Sequence, residues 1–169
     1  AQFMDWAILN PVAFREGELA DGESIVEEIA PYGDEPLRVT LMWNEPMGPT
    51  GFGGNDTTPS LVNDLDVRLV ETGTNTTYYP YVLGGLADPN SPATTGDNVL
   101  DNVEQIYLED VTAGTYEVRV THKDNLSETT SYSLMISGAI DANDPREAVT
   151  NLAAEVDYLA GTADLSWDH

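Results

Sequence analysis

Apolar and polar residues alternate along most of this chain. Between Pro36 and Asn44, Leu37, Val39, Leu41 and Trp43 share one face while Arg38, Thr40 and Met42 share the other. That is the two-residue period of a strand buried on one side. Thr115–His122 repeats it, with Tyr116, Val118, Val120 and His122 facing one way and Glu117, Arg119 and Thr121 the other. Leu61–Val70, Val103–Glu109 and Thr130–Ser137 read similarly, and Ser24–Ile29 and Thr76–Val82 are weaker strands. Glu16-Gly17, Asp21-Gly22, Glu71-Thr72-Gly73 and Ala113-Gly114 carry the turn chemistry between them. Only Asp5–Val12 has the pattern of a short helical turn. Many short strands with such punctuation predict an all-β fold, an antiparallel β-sandwich or jelly roll.

Two connections are long. Glu45–Ser60 is rich in Gly, Pro, Asn and Thr, and Gly84–Asn102 in Asp, Asn, Pro and Gly. Loops of this length in a compact domain are usually functional or pinned, and the acidic second loop is expected to be pinned. The sandwich is expected to span 14–140, preceded by a linker over 1–13. A polar linker covers 141–148, and residues 149–169 hold two strand-like segments, Val149–Tyr158 and Thr162–Asp168. Two strands alone are marginal in water. This tail is therefore expected to dock, to pair with another chain, or to open a further module.

Charge narrows the picture. The 169 residues include 30 Asp and Glu against 6 Lys and Arg, a formal net charge of −24. A surface so acidic repels nucleic acid and anionic membranes. Crowded carboxylates also repel one another unless salt or cations intervene, which points to a saline setting, to divalent-ion sites, or to both. Cysteine is absent, which removes disulfides, zinc–thiolate sites and thiol nucleophiles. No run of 18 apolar residues predicts membrane insertion, and the first ten residues lack the basic start of a signal peptide. If the protein is exported, its signal is expected upstream.

Two acidic segments are candidates for an ion site. In Asn63-Asp64-Leu65-Asp66, alternation puts Asp64, Asp66 and Arg68 on one face, and adjacent same-face carboxylates stand roughly 7 Å apart. Such a pair needs a cation between its members, and Arg68 alone is one candidate. The second segment, Gly96-Asp97-Asn98-Val99-Leu100-Asp101-Asn102-Val103-Glu104, crowds carboxylates and amides onto a loop entering a strand. Calcium takes about six to eight oxygen ligands in flexible geometry, whereas magnesium demands a stricter octahedron. Catalytic chemistry is not apparent. The two histidines are His122, at a strand end, and His169, and no serine lies in a Gly-x-Ser-x-Gly elbow. The Tyr78-Tyr79-Pro80-Tyr81 cluster suits either a core or a sugar- or peptide-stacking surface.

Four segments occur in a fixed succession: Leu37-Arg38-Val39-Thr40-Leu41-Met42-Trp43, Leu61-Val62-Asn63-Asp64-Leu65-Asp66-Val67, Asp101-Asn102-Val103-Glu104, and Ala113-Gly114-Thr115-Tyr116-Glu117-Val118-Arg119-Val120. Together they resemble the C-terminal β-sandwich of certain bacterial subtilisin-like serine proteases, a module similar to the P domain of proprotein convertases. The resemblance covers roughly Phe14–Gly138. It implies a non-catalytic, calcium-binding jelly roll that stabilises a secreted protease, with the catalytic domain of the same chain as its partner. Carried over by position, it makes Asn63, Asp64, Asp66, Asp97, Asp101, Asn102 and Glu104 the calcium ligands. Val149-Thr150-Asn151-Leu152-Ala153-Ala154 and Ala163-Asp164-Leu165-Ser166-Trp167 resemble the first two strands of a fibronectin type III domain. The alternative expectation is a module that binds protein, cell wall or polysaccharide.

Overall fold

A computed structural model describes residues 14–49, 59–84 and 90–143, together with the backbone of strands 150–157 and 162–168. In chain order the strands of the main body are Phe14–Leu19 (β1), Ile25–Pro31 (β2), Leu37–Trp43 (β3), Asp64–Glu71 (β4), Thr76–Tyr78 (β5), Tyr81–Val82 (β6), Thr94–Thr95 (β7), Val103–Leu108 (β8), Tyr116–Lys123 (β9), Thr130–Ser137 (β10) and Ala139–Asp141 (β11). One sheet has the order β1-β10-β3-β8 and the other β11-β2-β9-β4-β5. β1 pairs antiparallel with β10, β2 with β9, β3 with β8 and β4 with β5. The first four strands thus run out and later strands return along them, as a ribbon folded over into two sheets. Pairing of β10 with β3 and of β9 with β4 completes a jelly-roll sandwich.

The alternation decides which side of each strand is buried. Leu37, Val39, Leu41 and Trp43 of β3, Leu134 and Ile136 of β10 and Ile106 of β8 meet Leu65, Val67 and Leu69 of β4, Tyr116, Val118 and Val120 of β9 and Ile29 of β2. Each fully buried aliphatic side chain of this kind contributes about 1.5–3 kcal/mol. Tyr78 packs on the same core, its ring centroid 6.5 Å from that of Tyr116.

Several expected boundaries move, each for a local reason. Glu16-Gly17 is not a turn but lies inside β1, with Gly17 opposite Tyr132. A Cβ on Gly17 would stand 2.6 Å from the Tyr132 hydroxyl, so the glycine admits a ring. Leu61–Val70 begins as a strand only at Asp64, because the Glu45 carboxylate takes the N–H groups of Val62 and Asn63. Thr76–Val82 breaks around Pro80, which has no N–H to give a ladder, and β6 pairs instead with β7. β1, β7 and β11 are strands where the sequence pattern predicts none. Asp5–Val12, the linker 1–13 and most of 141–148 lie outside the described residues. Thr150–Asp157 (β12) and Thr162–Asp168 (β13) pair antiparallel where two strand-like segments are expected. Among the described residues no helix is long and apolar enough to cross a membrane.

One glycine makes a sheet-to-sheet corner. β10 belongs to the first sheet and β11 to the second, and only Gly138 separates them, at φ 85°. A Cβ there would lie 2.2 Å from the Pro36 carbonyl oxygen, and neither the backbone contact nor the left-handed φ suits an L side chain. Gly138→Ala is expected to destabilise the sandwich by about 1–3 kcal/mol or more, measured by chemical denaturation. Gly114→Ala, which meets nothing within 4 Å, serves as the control with little change.

Candidate functional site

The β4–β9 register sets Asp64 directly across from Lys123, and the ammonium donates to Asp64 Oδ2 at 3.0 Å. The same Nζ lies 3.0 Å from Asp66 Oδ1 and 3.0 Å from Asp97 Oδ1. Arg68, one strand period beyond Asp66, donates from Nη2 to Asp66 Oδ1 at 2.7 Å and to Asp97 Oδ1 at 2.5 Å. Its Nη1 stands 3.6 Å from Glu104 Oε2. The ring of Tyr79 lies 4.9 Å from the guanidinium carbon, in cation–π range. Four carboxylates and two cations from β4, β8, β9 and the loop before β8 therefore form one network.

The loop segment that supplies Asp97 is held in place. Gly96 donates its N–H to the Pro80 carbonyl at 2.8 Å. Asn98, buried, donates from Nδ2 to the Val103 carbonyl at 3.1 Å and accepts the Leu100 N–H at 3.1 Å. This pinned loop explains why Asp66, on the polar face of β4, is nevertheless buried.

Not every sequence-predicted ligand joins the cluster. Asn63 points elsewhere, donating to Thr130 Oγ1 at 2.7 Å and accepting from the Ser127 N–H at 2.8 Å and hydroxyl at 3.0 Å. It is a buried amide with its partners supplied, which ties the start of β4 to the β9–β10 loop. Asn102 extends the β3–β8 ladder: its Nδ2 donates to the Trp43 carbonyl at 2.8 Å, and its own carbonyl accepts the Trp43 N–H at 3.2 Å. Asp101 is exposed. Asp64, Asp66, Asp97 and Glu104 are brought together. Asn98 lies in the candidate loop segment but holds the loop rather than joining the cluster, and Lys123 and Glu45 are the residues that sequence reasoning missed. For Lys123 the available signal was its place at the end of a strand pattern as the sole lysine in the chain.

The arrangement also tests the fit of a calcium ion. Calcium–oxygen distances are about 2.3–2.6 Å, whereas the oxygens of Asp64, Asp66 and Asp97 surround an ammonium at 3.0 Å. Among the described residues no three acidic or histidine side chains are arranged to hold a metal. The residues present do not fit calcium at this cluster while Lys123 stands among them.

No family model matches this sequence, and no curated protein matches it. Among solved structures, the chain is similar to Bacillus licheniformis lipase BlEst2 in its propeptide form, at 13% identity and a TM-score of 0.41. That match covers 91% of this chain and spans 30% of the lipase chain. At that level it carries no argument about function.

Glu104 is the most perturbed acid of the cluster. It sits on the core side of β8, fully buried, with Oε2 accepting the Val67 N–H at 2.6 Å and Oε1 without a protein partner. β5 pairs with Leu69–Glu71, so this carboxyl serves a stretch of β4 edge that no strand among the described residues covers. Burial pushes Glu104 from 4.5 up to about 8; Asp66 adds to the rise, while the Val67 bond and Arg68 oppose it. Burial also raises Asp64 against the pull of Lys123. Asp97 is lowered: its partial burial raises it, but the positive charges of Lys123 and Arg68 beside it pull it down further. A carboxyl raised in the folded state binds its proton more tightly there than in the unfolded chain. Its stabilising contribution is complete below pH 4.5 and is lost as pH rises through about 8. Unfolding free energy is therefore expected to decline across that window, by at most about 1.4 kcal/mol per pH unit from this group. Glu104→Gln keeps an acceptor for Val67 and is expected to flatten the decline, checked by denaturant melts from pH 5 to 8.5.

Proposed function

We propose that this chain is a non-catalytic accessory β-sandwich of a larger exported protein, and that it supports the stability of its parent. On the sequence resemblance, the parent is a subtilisin-like serine protease. One observation carries the structural half of this reading. The resembling segments Leu61–Val67 and Asp101–Glu104, far apart in sequence, meet where Glu104 accepts the Val67 N–H. The motif residues are spent on joining strands. His122 supports the non-catalytic reading: its Nε2 accepts the Gly22 N–H at 2.8 Å and its Nδ1 lies 3.0 Å from the Asp124 carbonyl. With Nε2 accepting, the proton sits on Nδ1 and is donated to that carbonyl. Both ring nitrogens are engaged with backbone.

A module that docks only on a folded neighbour stabilises that neighbour by mass action. At the acidic cluster, where the resemblance implies calcium, lysine and arginine already stand among the carboxylates.

The purified chain is expected to hydrolyse no protein or peptide substrate. Deleting residues 14–141 from the parent chain is expected to lower its thermal inactivation temperature. Peptidase activity in the chain alone would overturn the reading. So would an unchanged inactivation temperature combined with retention of the chain on collagen, cell wall or insoluble polysaccharide, which would favour a binding module.

A further inference from the structure

We propose that Lys123 is the resident cation of the acidic cluster: its ammonium takes the place among Asp64, Asp66 and Asp97 that a divalent ion would occupy, and the folded sandwich needs no metal there. This concerns the source of the charge, not the identity of the parent, and it stands whether or not the protease reading does.

Stoichiometry is the first argument. An ammonium has three N–H donors and no acceptor, and here three separate carboxylates each place one oxygen 3.0 Å from Nζ. Asp64 Oδ2 accepts a hydrogen bond from the ammonium, and the Asp66 and Asp97 oxygens are ion-paired with it at the same distance. A calcium ion in the same space would have to draw these oxygens in by roughly half an ångström and find several more.

Placement is the second. Asp64 and Lys123 are cross-strand partners, so the strand ladder that builds the sheet also delivers the amine. Asp66 follows on the same face of β4, and Asp97 arrives on a loop anchored by Gly96 and Asn98. Nothing in the assembly depends on the concentration of a solute. Arg68 brings a second fixed charge to Asp66 and Asp97, so an incoming ion would meet two cations already standing among these carboxylates.

Composition is the third. In a chain with 30 acidic residues, Lys123 is the sole lysine, and it lies where the carboxylates are densest. These carboxylates hold the ammonium charged above the usual lysine range, although partial burial works the other way. Expelling it would expose a strongly hydrated charge to solvent but leave Arg68 still opposing the replacement.

Because the chain has one lysine, ¹⁵N-lysine labelling gives one side-chain Nζ resonance, read through its Hε protons. Calcium is titrated into the labelled protein at constant ionic strength, beside thermal melts with calcium or with EDTA. The wild-type resonance is expected to stay in place, with Tm changing by less than about 1 °C. Lys123→Met is expected to lose roughly 5–10 °C in Tm and to recover part of it with calcium, because Asp64 then lacks its cation while Asp66 and Asp97 keep only Arg68. Lys123→Arg is expected to keep most of the stability without calcium. A wild-type Nζ signal that moves to the position of a free lysine on adding calcium would overturn the proposal, and so would a Lys123→Met protein as stable as wild type. If Lys123→Met does not fold, the wild-type titration and Lys123→Arg decide the matter.

Discussion

The sandwich depends on balancing negative charge at the place where its two sheets meet. With a net charge of −24, most carboxylates can remain in water, where separation and salt reduce their repulsion. Asp66 cannot, because it is buried, and Glu104, also buried, holds its proton until about pH 8. Taking a charge out of water costs several kcal/mol unless the geometry returns it. For Asp66 it is returned by Arg68 and Lys123, while the Val67 N–H gives Glu104 a partner in the core. The remaining ion pairs, Arg15 with Glu27 and Arg119 with Glu117, are more exposed and contribute little by comparison.

A second polar system works beside the first. Trp43 donates its indole N–H to the Asn63 carbonyl at 2.9 Å and to Glu45 at 3.0 Å. Glu45 in turn holds the N–H groups that precede β4, and the Asn63 side chain reaches Thr130 and Ser127. One core aromatic, one carboxylate and one amide thus bind together the end of β3, the start of β4 and the loop into β10. Such buried networks contribute through completeness, since one lost partner leaves another group desolvated and unpaired.

These two systems explain how motif-like residues can serve architecture. The jelly roll folds a ribbon over, so strands far apart in sequence become neighbours at the sandwich edge, and the connecting loops must be tied down there. Carboxylates and amides spaced as if for an ion shell serve equally well as acceptors and donors for backbone and for fixed cations. The chemistry of the ligand set is shared by both uses. Which use applies depends on what else reaches the site.

The alternation of Leu37–Trp43, Leu65–Leu69, Tyr116–Val120 and Thr130–Ser137 was enough to determine the strands, the buried face of each and the all-β class, because side-chain period and burial are local consequences of an extended backbone. It also marked Asp64 and Asp66 as a pair in need of a positive partner. It could not show that Glu16-Gly17 lies within a strand, since that follows from the Tyr132 ring on a strand more than a hundred residues away. Nor could it separate Asn63 and Asn102, which turn to the backbone and to Thr130, from Asp97 and Glu104, which turn to the cluster. Only the tertiary structure decided that the needed positive charge is an amine of the same chain. The β4–β9 register and the pinned loop bring Lys123 and Asp97 together, and neither contact is local in sequence.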